Sequence, residues 1–524
     1  MSRFRVDWML AAHSIPSSLA FTHTPGTRGP RGGWEFPPRS PNPALLTTLV
    51  DETRASVVVG YVTDVEGKLD LFEEYAERSL VVEMGEGGEL HFAPHPDTYT
   101  PHFVYGGDCF DKGPGDLRLA RMLIDFKLRH PDRVHLVIGN RDANKLKLVA
   151  HLEGPELDTP MEALPGPYWT SGTSLHVTPA QYLAAARASG PPPPDPRVDR
   201  LKYHLNHTMG CPDSFEFRRQ ELEHFRAEAG DRTPVDDVDV VESYARMGNP
   251  VGAGDACLYV GLGSLAIIVG SSLFVHGGVS EASLGFVPRH DVHDGITRGA
   301  SPAQSGLGVR DWVTALDAWK KEAIAEFVAN PGYREGEDVL DEPQRGGSQF
   351  FAYFYRRAIH DKSVAIHATL AKGAVIPPSP AIALALSRDG IRRVVSGHKP
   401  YGDAPTLVRR HGVEFLLGDM SYSDPRAPNK RGCAVAEVVI VDGEEDSHVL
   451  LHGRLASGIE YACDTRDPWI GRMVGDWVVE LSLPSGWYVL SRGRGRTVMR
   501  MMIDPLALHR LASSASASER QRAQ

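Results

Sequence analysis

Cysteine is scarce in this chain. Its 524 residues contain five, at Cys109, Cys211, Cys257, Cys433 and Cys463, with no CxxC pair and no zinc-type cluster. An odd, scattered set fits reduced thiols inside a cell, so a cytoplasmic protein is expected and a disulfide scaffold is excluded. Long apolar runs are absent too. Nothing approaches the roughly 18 residues that span a bilayer, so no membrane partner is expected. Excess positive charge is also missing. There are 56 Lys and Arg against 67 Asp and Glu, a net charge of −11. That balance argues against broad nucleic-acid or anionic-membrane binding, and leaves room for a local basic pocket.

The length exceeds one simple core, and a large α/β domain with additions is the natural reading. Residues 1–50 read as a flexible leader, with Gly, Pro and Arg dense over 23–44. The first 28 residues carry arginines and hydroxyls with few acids, a faint likeness to a transit peptide. From Ser56 a β-branched run, Ser-Val-Val-Val-Gly-Tyr-Val, predicts a buried strand. Leu69, Phe72, Tyr75 and Ala76 then fall at helical spacing. Strands are expected at 102–106 and 133–138, helices at 117–129 and from about Asp142. The core resumes with a hairpin at 264–270 and 272–276, a helix at 309–329, and strands at 391–396, 406–410, 413–417 and 433–441. Alternating strands and helices over 51–152 and 263–442 predict an α/β sheet core, with ligands in the loops after strand ends. Residues 153–262 read as an insertion with helices at 215–228 and 236–247, and 443–510 as a strand-rich extension. Residues 511–524 read as a frayed tail.

Five short segments place a metal-binding or phosphate-binding side chain after an apolar run. They are YVTDVEG at 61–67, YGGDCFDKGPGD at 105–116, VIGNRDANK at 137–145, LFVHGGVS at 273–280 and VVSGHKPYGD at 394–403. Taken singly, each has a bland explanation: an acidic pair at a helix N-terminus, a packed histidine, a loop lysine, an Arg–Asp ion pair. Taken together they supply three carboxylates, one amide oxygen and two imidazoles from Asp64, Glu66, Asp108, Asn140, His276 and His398. That inventory suits two divalent ions about 3.5–4 Å apart, the arrangement that clamps both oxygens of a phosphoryl transfer.

In order and spacing these segments resemble the calcineurin-like metallophosphoesterases, closest to the branch of the serine/threonine protein phosphatases and diadenosine tetraphosphatase-like enzymes. The resemblance covers a little over half the chain. It implies a four-layer αββα sandwich and a phosphatase in which a metal-bridging hydroxide attacks phosphorus. It further implies that Asp108 bridges the ions, with Mn²⁺ the first choice of metal and Mg²⁺, Fe or Zn²⁺ the others. Asp111 would hold a neighbouring side chain, and Lys112 stands where the protein phosphatases carry a phosphate-binding arginine. Asp142 would orient Arg141, and Asp419 would approach the substrate side. The substrate would be a phosphoprotein or a nucleotide or polyphosphate.

Two positions depart from the family pattern. Glu66 replaces the histidine of Asp-x-His, which makes the site richer in oxygen. Arg141 replaces the histidine associated with the leaving oxygen. An arginine is never deprotonated in a protein, so it cannot be a general acid. It can grip phosphate with two parallel hydrogen bonds. Without that acid, good leaving groups such as pyrophosphate or phenolic oxygens are favoured over serine alkoxide. These departures also motivate an alternative: a pseudophosphatase that binds phosphate or phosphopeptide without turnover.

Overall fold

The computed structural model describes residues 56–523 except 154, 168–169, 290–305, 332–346, 356–359, 372, 421–433, 444–445 and 495–496. The expected leader lies outside the described residues.

The first strand is β1 (Ser56–Val62), and the helical stripe after it forms α1 (Leu69–Arg78), burying Leu69, Phe72, Tyr75 and Ala76. Next come β2 (Tyr99–Tyr105), α2 (Asp116–Arg129), β3 (Val134–Leu136) and α3 (Asn140–Leu152). Helix α3 starts two residues earlier than expected, because the Asp142 side chain accepts the Gly139 N–H and closes the first turn. After the insertion the core continues through β4 (Ala266–Val269), β5 (Ser272–Val275), α4 (Val309–Ala329), α5 (Pro380–Arg388) and β6 (Arg393–Ser396). It then runs through β7 (Thr406–Arg410), β8 (Val413–Leu417) and β9 (Val435–Asp442).

Two mixed sheets make the centre. One has the order β11-β10-β9-β1-β2-β3, where β10 is Ser447–Arg454 and β11 is Glu460–Asp464; the other is β7-β8-β6-β5-β4. Strands β1, β2 and β3 are mutually parallel, as are β5, β6 and β8. Parallel neighbours deliver their C-terminal ends side by side. That is why the loops after β1 and β2, and those after β5 and β6, can meet. The Tyr61 ring of β1 lies 5.8 Å from the Phe274 ring of β5, joining the sheets through apolar packing. Asp442 at the end of β9 accepts from the Ser271 hydroxyl at 3.0 Å.

The C-terminal part divides differently from the sequence reading. Strands β10 and β11 belong to the first core sheet, so the extension proper begins after them. Strand β9 is antiparallel to β1 and would otherwise be an exposed edge, which β10 covers. A separate antiparallel sheet follows: Met473–Val474, Trp477–Ser482, Tyr488–Arg494 and Thr497–Ile503. The expected frayed tail is also replaced, by the second half of a helix, Pro505–Ala523. Its anchor is the i, i+4 pair Leu508 and Ala512, both buried, with His509 edge-on to Trp469.

The insertion is helical throughout its regular elements. Its helix α6 (Ser214–Glu228) is locked to α2 by a buried charge cluster. Arg218 reaches Asp116 at 2.7 Å with neither side chain meaningfully exposed, and Glu221 accepts the Leu117 and Arg118 N–H groups at the start of α2. Removing the arginine leaves the buried Asp116 without its cation and Glu221 with Arg118 alone, so Arg218→Ala is expected to cost about 3–5 kcal/mol in urea unfolding. Burial, then the neighbouring Asp116, raises Glu221 from 4.5 to about 7. The native state then holds a proton that the unfolded chain has released. Stability from this group is full below pH 4.5 and lost as pH rises through about 7. Glu221→Gln should flatten that decline; an unchanged slope between pH 5 and 7 would assign it elsewhere.

Candidate metal centre

The loops after the parallel strands are tied together by their own backbone. Asp64 N–H donates to Gly107 C=O at 3.0 Å and Glu66 N–H to Asp108 C=O at 3.1 Å. Across the second sheet, Gly397 N–H donates to His276 C=O at 2.7 Å. Eight non-glycine residues among those described have positive φ, and six are Asp64, Glu66, Asp108, Asp111, Lys112 and His398. Each such residue costs about 1–3 kcal/mol and persists only where its surroundings enforce it. Here the strain coincides with the sequence-predicted ligands.

Glycines give the carboxylates their room. A Cβ on Gly139 would lie 2.1 Å from Asp108 Oδ1, and one on Gly397 would lie 2.2 Å from Asp64 Oδ2.

The structure brings Asp108, His276 and His398 together, with donor atoms within 4.8 Å of one another. His276 Nδ1 pairs with Gly106 C=O at 2.9 Å, which turns Nε2 toward Asp108 Oδ1 at 3.3 Å. The two imidazoles lie 5.3 Å apart, edge to face. Asn140 Oδ1 is buried and accepts no hydrogen bond among the described residues, and His276 Nε2 is likewise buried without one. The unpaired Asn140 amide oxygen, and a His276 Nε2 that faces Asp108 without a formed hydrogen bond, fit a divalent cation held by Asp108, Asn140, His276 and His398. Burial disfavours the charged His276, but the Asp108 and Asp64 carboxylates overcome it and raise the imidazole to about 10. Binding a cation through Nε2 would displace that proton.

Asp64, Glu66 and Asp108 also bring their oxygens within 4.8 Å of one another. Asp64 accepts from the Thr63 hydroxyl at 2.6 Å and the His398 N–H at 3.1 Å. Burial, then the nearby Asp419, raises its carboxyl well above the usual range. Glu66 is already paired. Arg141 Nε lies 2.6 Å from Oε1 and Lys112 Nζ 2.9 Å from Oε2. The same Arg141 Nε lies 3.6 Å from Asp108 Oδ2.

Asp111 does hold neighbours: its Oδ2 accepts from Arg141 Nη1 at 3.2 Å and Lys145 Nζ at 2.6 Å. The part expected of Asp142 is corrected. It does not hold the Arg141 guanidinium. Its carboxylate instead accepts the backbone N–H groups of Gly139, Asp108 and Cys109 at 2.8, 2.9 and 2.7 Å. It staples the second motif to the third. Asp419 is buried beside Asp64, and Ser421 and Tyr422 after it lie outside the described residues.

Several residues escaped sequence reading. Lys145 is one helical turn after Arg141, so its reach to Asp111 was available from i, i+4 spacing. Met209, whose C=O accepts from Arg141 Nη1 at 3.3 Å, and Ser214, whose hydroxyl accepts the Lys112 N–H at 3.2 Å, come from the insertion and carry no local signal. Lys399, exposed beside His398, adds positive charge next to the cluster.

No protein-family model and no curated protein matches the chain. Its structure is similar to solved phosphatases. One is the cold-active protein-tyrosine phosphatase of a psychrophilic Shewanella species, matched over 79% of this chain and 82% of that one at 13% identity and a TM-score of 0.34. Another is a protein serine/threonine phosphatase from Saccharomyces cerevisiae, over 76% and 79% at 10% identity and a TM-score of 0.29. At these scores the likeness adds no weight to a functional reading.

The staple makes a direct prediction. Asp142→Asn puts an amide donor against a backbone N–H, which should cost about 1–3 kcal/mol. It should also weaken Mn²⁺ binding in calorimetry, although the new amide would touch no ligand side chain. Undiminished affinity would show that the loops hold their positions without it.

Proposed function

We propose that this protein is a metal-dependent phosphatase acting on a phosphate ester or anhydride of a protein or nucleotide. The single observation that carries this is the convergence of Asp108, His276 and His398, with Asn140 next in chain to the Arg141 N–H that bonds Asp108, and with the Asn140 amide oxygen and a His276 nitrogen buried without hydrogen bonds among the described residues. Mixed nitrogen and oxygen donors suit Mn²⁺, with Mg²⁺, Fe or Zn²⁺ as alternatives. Helices α1 and α2 against the first sheet, and α4 and α5 against the second, support the four-layer αββα arrangement.

A divalent cation held there would polarise a phosphoryl oxygen and acidify water. The chain's own residues do the rest. Arg141 Nη2 makes no hydrogen bond among the described residues, while Nε and Nη1 are fixed by Glu66, Asp111 and Met209. A guanidinium fixed on one side and open on the other suits the non-bridging oxygens of a phosphoryl group. Lys112 and Lys399 add charge for further phosphates. Arg141 cannot protonate a leaving oxygen as the family histidine would. The site therefore favours substrates whose leaving groups depart as anions, such as pyrophosphates and aryl phosphates.

The Arg141–Glu66 pair also supports a second reading, phosphate or phosphopeptide binding without turnover. Aryl phosphate, an alkyl phosphate, phosphopeptides and dinucleoside polyphosphates, each with Mn²⁺, Mg²⁺ or no added metal, separate the two. Hydrolysis of aryl phosphate and polyphosphate with Mn²⁺ is expected. Arg141→Ala should slow it by about two to three orders of magnitude. Arg141→Lys should recover part, and Arg141→His should favour the alkyl ester. If no metal yields turnover in any variant while phosphopeptide still binds, the non-catalytic reading holds.

A further inference from the structure

We propose that the resting centre holds one divalent ion, not two, and that the Arg141 guanidinium occupies the place of the second. This deepens the metal-dependent reading and rests on it only for the presence of a metal.

The two halves of the ligand cluster are built differently. The Asp108, Asn140, His276 and His398 half offers four side chains of mixed chemistry; Asn140 Oδ1 and His276 Nε2 are buried without hydrogen bonds among the described residues, as is Glu66 Oε2 in the other half, and the halves differ in their ion pairs. The Asp64, Glu66 and Asp108 half offers three carboxylates, and its middle member is spoken for. Both Glu66 oxygens face cations, Arg141 Nε at 2.6 Å and Lys112 Nζ at 2.9 Å. The Arg141 Nε also faces Asp108 Oδ2 at 3.6 Å, so a fixed positive charge lies between the two carboxylates a second ion would join.

The guanidinium is not a loose arm that an arriving ion would sweep aside. Asp111 and the Met209 carbonyl hold Nη1 at 3.2 and 3.3 Å. Asp111 is in turn held by the fully buried Lys145. The Arg141 backbone N–H also donates to Asp108 Oδ1 at 2.8 Å. Freeing Glu66 for a metal would unseat an arginine gripped from four directions and leave its charge facing a dication. The second half therefore does not fit a resident ion, whereas the first does.

The test is stoichiometry. Full-length protein is loaded with excess Mn²⁺, passed over a desalting column and analysed for metal per chain. Low-temperature electron paramagnetic resonance is recorded on the same samples, with circular dichroism melts to verify folding. The expected result is one Mn²⁺ per chain with the six-line signal of an isolated ion. Asn140→Ala should lose it at least tenfold in affinity, whereas Glu66→Gln should keep it. Combining Arg141→Ala with Lys112→Ala should admit a second ion and an exchange-coupled signal. Two ions with a coupled signal in the wild type would overturn the inference and leave the phosphatase reading standing. Loss of the single ion in a folded Glu66→Gln would overturn it as well. A folded wild type that retains no ion with any of Mn²⁺, Mg²⁺ or Zn²⁺ would overturn both.

Discussion

Four carboxylates, Asp64, Glu66, Asp108 and Asp111, are buried within two adjoining loops. Removing each from water costs several kcal/mol unless a cation compensates, so this cluster dictates what must surround it. Asp111 is met by Lys145 and Arg141, Glu66 by Arg141 and Lys112, and Asp108 by His276. Asp64 differs from them in making no ion pair among the described residues. Its partners are a hydroxyl and a backbone N–H, with another acid, Asp419, nearby. The chain thus neutralises most of its own cluster, and the carboxylate left without a cation among the described residues is Asp64, with the Asn140 amide oxygen nearby also lacking a hydrogen bond.

That division gives the helical insertion a reason to be where it is. Its segment from Met209 to Ser214 supplies a carbonyl to Arg141 and a hydroxyl to the Lys112 backbone. Its next helix is clamped to α2 through Arg218. A guanidinium tied only to acidic partners could follow them into several geometries. A carbonyl from a separately anchored element removes that freedom. Rigid placement matters because a charge that must reorganise during a reaction stabilises little.

Much of the core was legible in the sequence, since buried strands and amphipathic helices write themselves as local periodicities. The β8 boundaries, 413–417, match the expected ones because Gly412 and Gly418 bracket a short apolar run. The candidate ligand residues stood out because each follows such a strand. What the sequence concealed was pairing. Asp142 adjoins Arg141, and adjacency suggested an ion pair. In a helix, however, neighbours point about 100° apart, and Asp142 turns back to cap its own first turn. The core sheet's continuation through β10 and β11 was hidden for a similar reason. An alternating strand looks the same whether it extends one sheet or begins another.

The two departures from the metallophosphoesterase pattern, Glu66 and Arg141, looked independent in sequence, 75 positions apart. In space they touch, at 2.6 Å. Replacing two imidazoles by a carboxylate and a guanidinium keeps the pair's net charge at zero. Either change alone would not: Glu66 without Arg141 would keep only Lys112 as its cation in an already acidic cluster, and Arg141 without Glu66 would be a buried cation with fewer partners. The two side chains form one ion pair, which holds charge without moving protons. Arg141 cannot act as a general acid. Its charge is independent of pH, and it lies beside Asp108, close to the Asn140 and His276 atoms that make no hydrogen bond among the described residues.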